Sequence, residues 1–454
     1  MRFKKILALL LVVFMLCIAT SCDSKKTVTN NNTKGTEVSD DGTKSGSKLS
    51  GKLEIWAWGS GIEAEARKEA IEIFIKNHPE LEITYSIIPT EDSAWDQKAS
   101  AALAAGNAAD VMQMSPDYFG MNTDYYIDLR PYVEAEGVNL DEVITPGMMD
   151  GYYDTDGKLE GFPLLANCFC LIYNKDMFDE YGVPYPQDGW TMEDILDWGK
   201  AFVGGEGVNK TYAIAKHWVT NSVMVYAGGG KPYSDDLTTS YFDSPEILKS
   251  LQLYQKLVQG GFMPTDAAQT SIDASTLFIS GKAAMYFVGG MHSQQTIMDA
   301  EENGINIGIA PMPRDANGKE INIQFATGWA ITKTSKNPDA AWQFLKESAY
   351  ANDEMAIATC KSGMPANKRI AETYYANMTY GKCNFSNKIF VDHMQNTYIF
   401  PFGGTLAPAG DIYATMVSAI VDDGQDAAEV QAKYAPQIAE EFSKFKFNTK
   451  RGAN

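Results

Sequence analysis

The sequence predicts an α/β protein with helices packed on both faces of its sheets. Three observations carry that prediction. Strand-like runs alternate with helix-length amphipathic runs from Leu53 onward, the first of them close a β-α-β unit, and residues 161–178 hold a near-continuous apolar run. The first run, Leu53-Glu54-Ile55-Trp56-Ala57-Trp58, alternates as a strand does, and Gly59-Ser60-Gly61 follows as a turn. Ala66, Ala70, Ile73 and Phe74 recur at helical spacing until His78-Pro79, where the residue before proline is pushed out of the helical region. Leu81, Ile83, Tyr85 and Ile87 alternate again, so the pair is parallel with a right-handed crossover. A second helix from Ala94 to Ala105 ends at Gly106 as its C-cap, and Asp110-Val111-Met112 starts another strand. Gly161-Phe162-Pro163 is a turn signal, and the chain is apolar from Leu164 to Tyr173 except at Asn167, as in a strand buried on both faces. Thr191 and Asp194 have capping-box spacing at a later helix start.

The N-terminal region reads differently. Arg2, Lys4 and Lys5 precede an apolar run from Ile6 to Ile18 and then Ala19-Thr20-Ser21-Cys22. A basic start, a short apolar stretch and small residues describe a secretory signal over 1–21. The run falls short of the roughly 20 apolar residues of a permanent span. Cys22 in that position resembles the lipobox of bacterial lipoproteins, where the cysteine carries lipid and becomes the mature N-terminus. Residues 22–51 are Ser, Thr, Asn, Lys, Gly and Asp with almost no apolar content, the composition of a disordered tether. The remaining chain is long enough for two lobes with their own cores. The formal charge is −20, and removing the three cations of 1–21 makes it −23. So acidic a body argues against nucleic acid, anionic lipid surfaces and polyanionic ligands. Of six cysteines, Cys168, Cys170, Cys360 and Cys383 fall in the folded part, too few for a disulfide scaffold; whether Cys360 and Cys383 pair is left open.

Several stretches carry a family resemblance. Tyr173-Asn174-Lys175-Asp176-Met177-Phe178 matches a Tyr-Asn-Lys-Asp-x-Phe signature. Ala101 to Val111, with Gly106-Asn107 and Asp110-Val111, Tyr126 to Tyr132, Gly189 to Asp194, Phe278 to Met285, Ile309 to Pro313 and Gly328 to Asn337 match further landmarks in the same order. Together they cover roughly 53–445 and resemble bacterial extracellular solute-binding proteins of the maltose-binding type. The resemblance implies a two-lobed periplasmic-binding-protein type II fold with the ligand cleft between the lobes. Lobe one would be 52–165 plus 326–363, and lobe two 166–325 plus 364–454. Three crossings near Asn167, Ala326 and Met364 would form the hinge, and closure on ligand is the mechanism implied. The function implied is capture of a carbohydrate, mono- or oligosaccharide, and its delivery to the transmembrane subunits of an ABC permease. The protein would be a monomer on the outer face of the cytoplasmic membrane, held by lipid at Cys22, with no cofactor and no catalysis. The alternatives are a secreted carbohydrate-active enzyme, or a binding protein for ferric ion or polyamine.

Aromatic faces match the C–H faces of sugar rings, and planar polar groups satisfy sugar hydroxyls. Trp190, Trp198 and Trp342 read as structural from helix starts and helical spacing. Trp56, Trp58, Trp95, Trp218 and Trp329 fall near strand ends or in loops. Of these, Trp58, Trp218 and Trp329 are the expected cleft residues, Trp329 because Gly328 beside it permits close backbone approach. By their place in the family pattern, Asp117, Tyr118, Asn167, Met291 and Tyr413 are expected to contact ligand as well. Met291 stands where the family often has Trp, and Asn167 where it often has a carboxylate, so the resemblance leaves the ligand's identity open.

Other chemistry finds little support. Gly59-Ser60-Gly61-Ile62-Glu63-Ala64 fits a dinucleotide fingerprint, but Ile87-Ile88-Pro89 stands where its acidic residue belongs. His78, His217, His292 and His393 show no metal-binding spacing. Gly281-Lys282 lacks a phosphate loop, so ATP hydrolysis would belong to a partner. Tyr374-Tyr375 is similar to the adjacent tyrosines of ferric-ion-binding relatives, yet tyrosine pairs recur at 125–126 and 152–153. No motif singles out the two facing carboxylates that a glycosidase needs.

Overall fold

The computed structural model describes residues 49–444, apart from 91–93, 116–124, 154–156, 235–237, 270–271, 291 and 400–406. Cys22 and the tether lie outside the described residues.

The chain folds around two sheets. The larger takes β1 (Gly51–Trp58), β2 (Leu81–Ile88), β3 (Val111–Met114), β4 (Phe162–Asn167), β9 (Asn322–Ile331) and β10 (Met364–Pro365), in the order β10-β4-β9-β3-β1-β2, with Thr397–Ile399 also on β9. The smaller takes β5 (Phe169–Asn174), β6 (Tyr212–Ile214), β7 (Ala283–Gly289) and β8 (Ile307–Ala310), in the order β6-β7-β5-β8. β1 and β2 pair in parallel from Gly51↔Leu81 to Trp58↔Ile88 around the helix Gly61–Asn77, as the β-α-β pattern predicts. β9 runs antiparallel to β3 and β4, so the sheet is mixed. Helix Ala94–Ala105 stops before Gly106 at φ 69°, a left-handed conformation that glycine adopts without Cβ strain. The capping box also forms: Thr191 N–H donates to Asp194 Oδ2 (2.7 Å) and Asp194 N–H to Thr191 Oγ1 (3.3 Å).

The apolar run that reads as one strand is two. β4 ends at Asn167 in the larger sheet, and β5 begins at Phe169 in the smaller one. Cys168, wholly buried, is the crossing. β5 then divides its side chains by the two-residue period. Phe169, Leu171 and Tyr173 join one core, with Met285 and Phe287 of β7. Cys170 and Ile172 join the other, which continues through Phe390 and Tyr375 into the core of the larger sheet. Each such aromatic or aliphatic side chain contributes about 1.5–3 kcal/mol on burial.

The crossings lie side by side. Ala166 pairs with Ala326 on one side and Met364 on the other. Asn322 fastens the start of β9 to the start of β5, its Oδ1 accepting from Phe169 N–H (3.0 Å) and its Nδ2 donating to Phe169 O (2.9 Å). The three crossings thus form one compact joint on adjacent strands.

Candidate functional site

At the carboxyl ends of β1 and β2 the larger sheet opens onto a cavity of about 230 Å3. Ligand sites in open α/β sheets lie at such ends. Trp58, the last residue of β1, lines it beside Trp95, and the two rings meet edge to face with centroids 5.2 Å apart. Trp58 N–H donates to Gln113 Oε1 (3.2 Å), which ties the strand end to β3. Phe325, Ala326 and Thr327 of β9 form the facing wall, and Thr327 Oγ1 is buried without a protein partner. Asp96, in the first turn of helix Ala94–Ala105, is the charged group on the lining.

The second sheet's side adds an aromatic step. Trp218 is 58 % exposed and stands against Phe325 (4.6 Å, near-perpendicular rings) and Phe169 (5.8 Å). Its neighbour His217 packs between Phe169 and Tyr286, and its Nδ1 accepts the Val219 N–H (3.1 Å), which fixes the turn that presents Trp218. Burial pushes the His217 imidazole down to about 4, so it is neutral at ordinary pH. Asn167 closes the crossing. Its Nδ2 donates to Ser362 O (3.4 Å) and its Oδ1 is buried without a protein partner.

Of the expected ligand residues, Trp58, Asn167 and Trp218 therefore gather around the joint and the cavity. Asp117, Tyr118 and Met291 lie outside the described residues. Two expectations do not hold in this structure. Trp329 is 2 % exposed, its Nε1 donating to Ser348 Oγ (2.9 Å) and its ring edge-on to Phe344 at 5.1 Å. Phe325, Thr327 and Trp329 share a strand face by period, but the helix Pro338–Lys346 lies over Trp329. Gly328 makes room for protein and not for ligand, because a Cβ there would stand 2.3 Å from Phe162 O and 2.6 Å from the Tyr152 ring. Tyr413, also 2 % exposed, packs 5.4 Å from Phe242 inside the second core and donates to Asn221 O (3.2 Å). It sits on the helix Ala407–Val421, whose inner face is committed to that core.

The sequence reading left Trp95, Phe325 and Thr327 out of the site. The rule that located Trp58 at the end of β1 applies equally to the end of β2, where Trp95 opens the next helix. The glycines at 59 and 61 serve the turn: Gly59 has φ 152°, and a Cβ there would press the Ala64 backbone at 3.0–3.2 Å. Among the described residues no group of three or more His, Cys, Asp or Glu could hold a metal ion. Cys168, Cys170, Cys360 and Cys383 are all free thiols.

Two α/β halves on a three-strand joint, with an aromatic pocket at the strand ends of the larger sheet beside that joint, have the architecture of a two-lobed binding protein. The match to known proteins agrees, and residues 57–349 place the chain in the family of bacterial extracellular solute-binding proteins. It is similar to a maltodextrin-binding protein of Bacillus subtilis, 27 % identical over 67 % of this chain and 72 % of that one. It is also similar to a galactooligosaccharide-binding protein of the same organism, 25 % identical over 79 % and 81 %. Among solved structures, the sugar-binding protein MalE of Xanthomonas citri superposes with a TM-score of 0.72 at 21 % identity, over 87 % of this chain and 98 % of that one.

Proposed function

We propose that this protein captures a carbohydrate between its lobes and delivers it to the transmembrane subunits of an ABC importer. The observation that carries the reading is the cavity walled by Trp58, Trp95 and Phe325, with exposed Trp218 against its rim. Ring faces of this kind suit the apolar faces of a pyranose, and the unpartnered oxygens of Thr327 and Asn167 suit its hydroxyls. Relatives named for maltodextrin and galactooligosaccharide support the ligand class. Trp58, Asn167 and Trp218 are the proposed contacts, joined by Trp95, Phe325 and Thr327. The lobes are proposed as 52–165 plus 326–363 and 166–325 plus 364–454, closing about the joint at Ala166. The protein acts as a monomer without turnover, anchored through lipid on Cys22 to the outer face of the cytoplasmic membrane. No helix of the described residues is long and apolar enough to cross a membrane.

A thermal-shift screen of maltotriose, lactose and galactobiose against sn-glycerol 3-phosphate, spermidine and ferric citrate tests the ligand class. A sugar should raise the melting temperature, and scattering at saturation should show a smaller radius of gyration. Stabilisation by a non-sugar alone overturns the reading.

A further inference from the structure

Arg67 is a charged residue in a place where the core does not need one. It lies on the helix Gly61–Asn77 and is 1 % exposed. Its Nη2 donates to Glu63 Oε1 (3.2 Å) and its Nη1 to Ser362 Oγ (2.9 Å), while Nε has no hydrogen-bond partner. Replacing a buried ion pair by apolar groups of similar volume is often neutral or stabilising, so stability gives no reason for a guanidinium here. Geometry gives one. Ser362 Oγ donates onward to Thr359 O (3.1 Å), and Ser362 O accepts from Asn167 Nδ2 (3.4 Å). A carbonyl can only accept, so the Asn167 amide nitrogen is the group bonded to Ser362 O, and this fixes which way the carboxamide is turned. Glycines confine the carboxamide on two sides. A Cβ at Gly363 would stand 2.5 Å from Asn167 Oδ1, and one at Gly290 would stand 2.7 Å from Asn167 Cγ. Gly363 precedes β10 of the larger sheet and Gly290 follows β7 of the smaller, so the group sits where the two halves meet.

We propose that Arg67 is a positioning residue of the binding site: it holds the Ser362–Gly363 turn, and that turn orients Asn167, a proposed ligand contact. This rests on the carbohydrate reading for the last step alone; the link from Arg67 to Asn167 stands without it. Burial lowers the Arg67 guanidinium to about 10, which still leaves it charged at neutral pH.

The test has two arms. In deuterated, 15N-labelled protein without ligand, the Asn167 side-chain amide is assigned by its loss in Asn167→Ala. Arg67→Met and the milder Ser362→Ala should move that amide toward solvent-averaged shifts and faster exchange, with melting temperature within about 3 °C of wild type. Calorimetry with whichever of maltotriose, lactose or galactobiose the wild type binds should show roughly a three- to ten-fold loss in each variant, about one hydrogen bond. In an Asn167→Ala background the same substitutions should cost nothing further. An unmoved Asn167 amide in a folded variant overturns the proposal, as does a lower melting temperature with that amide unchanged. If Arg67→Met does not fold, Ser362→Ala decides. If Asn167→Ala leaves affinity intact, the ligand contact at Asn167 fails while the amide shifts still judge Arg67.

Discussion

Trp218→Ala separates the binding role of an exposed aromatic from any structural one. The residue is 58 % exposed, and a Trp side chain presents at most about 250 Å2, so about 140 Å2 is open to solvent. A sugar ring laid on one face covers about half of that, or about 70 Å2. At about 25 cal/mol per Å2 this is worth about 1.8 kcal/mol, a fall of about twenty-fold in affinity. Stability should change little, because the residue is mostly exposed and the substitution removes only partial contacts with Phe325 and Phe169. Titration calorimetry and thermal melting of one preparation read both quantities. Unchanged affinity would show that the ligand does not reach the Trp218 face, and the aromatic step would then be no part of the site. A drop of many degrees in melting temperature would refute the claim that the residue is free of structural duty.

Trp329→Ala should do the reverse, losing about 3–5 kcal/mol of stability with affinity in the surviving fold unchanged, since Trp329 fills space under Phe344 and bonds Ser348. A loss of affinity at constant melting temperature would return it to the cleft. His393 is raised above its ordinary value chiefly by its hydrogen bond with Glu320 (Nδ1 to Oε2, 2.7 Å). A raised group gives stability that is full below the unfolded value near 6.5 and is lost as pH climbs through the folded value. Wild type should therefore lose melting temperature from pH 6 to 8, and His393→Gln should flatten that slope; an equal slope in both sinks the assignment. Burial holds the Cys168 and Cys170 thiols well above their ordinary value, Cys360 at about 12 and Cys383 at about 11. With the mature protein, lacking residues 1–21 and with the Cys22 sulfur capped by lipid, Ellman's reagent at pH 8 should react slowly in the native state and release four equivalents in guanidinium, and fewer than four would reveal a disulfide.

What the sequence determined by itself is local. Residue period named the β1-helix-β2 unit, Gly106 and Pro79 marked helix ends, and Thr191 with Asp194 named a cap, because each depends on neighbours a few residues apart. Ordered landmarks also carried the family, since they preserve the chain's path. The tertiary structure decided the rest. Leu164 to Tyr173 is uniformly apolar, so no pattern could show that it divides at Cys168 between two sheets; both halves are buried, and burial looks the same in either. Trp218 and Trp329 each sit near a strand end or loop. Which one stays open to solvent depends on the helix Pro338–Lys346, which lies over the second, while the first is left 58 % exposed. The bond from Arg67 to Ser362 joins residues 295 apart in the chain, and a contact at that separation exists only once the chain has passed through the smaller sheet and returned to the larger.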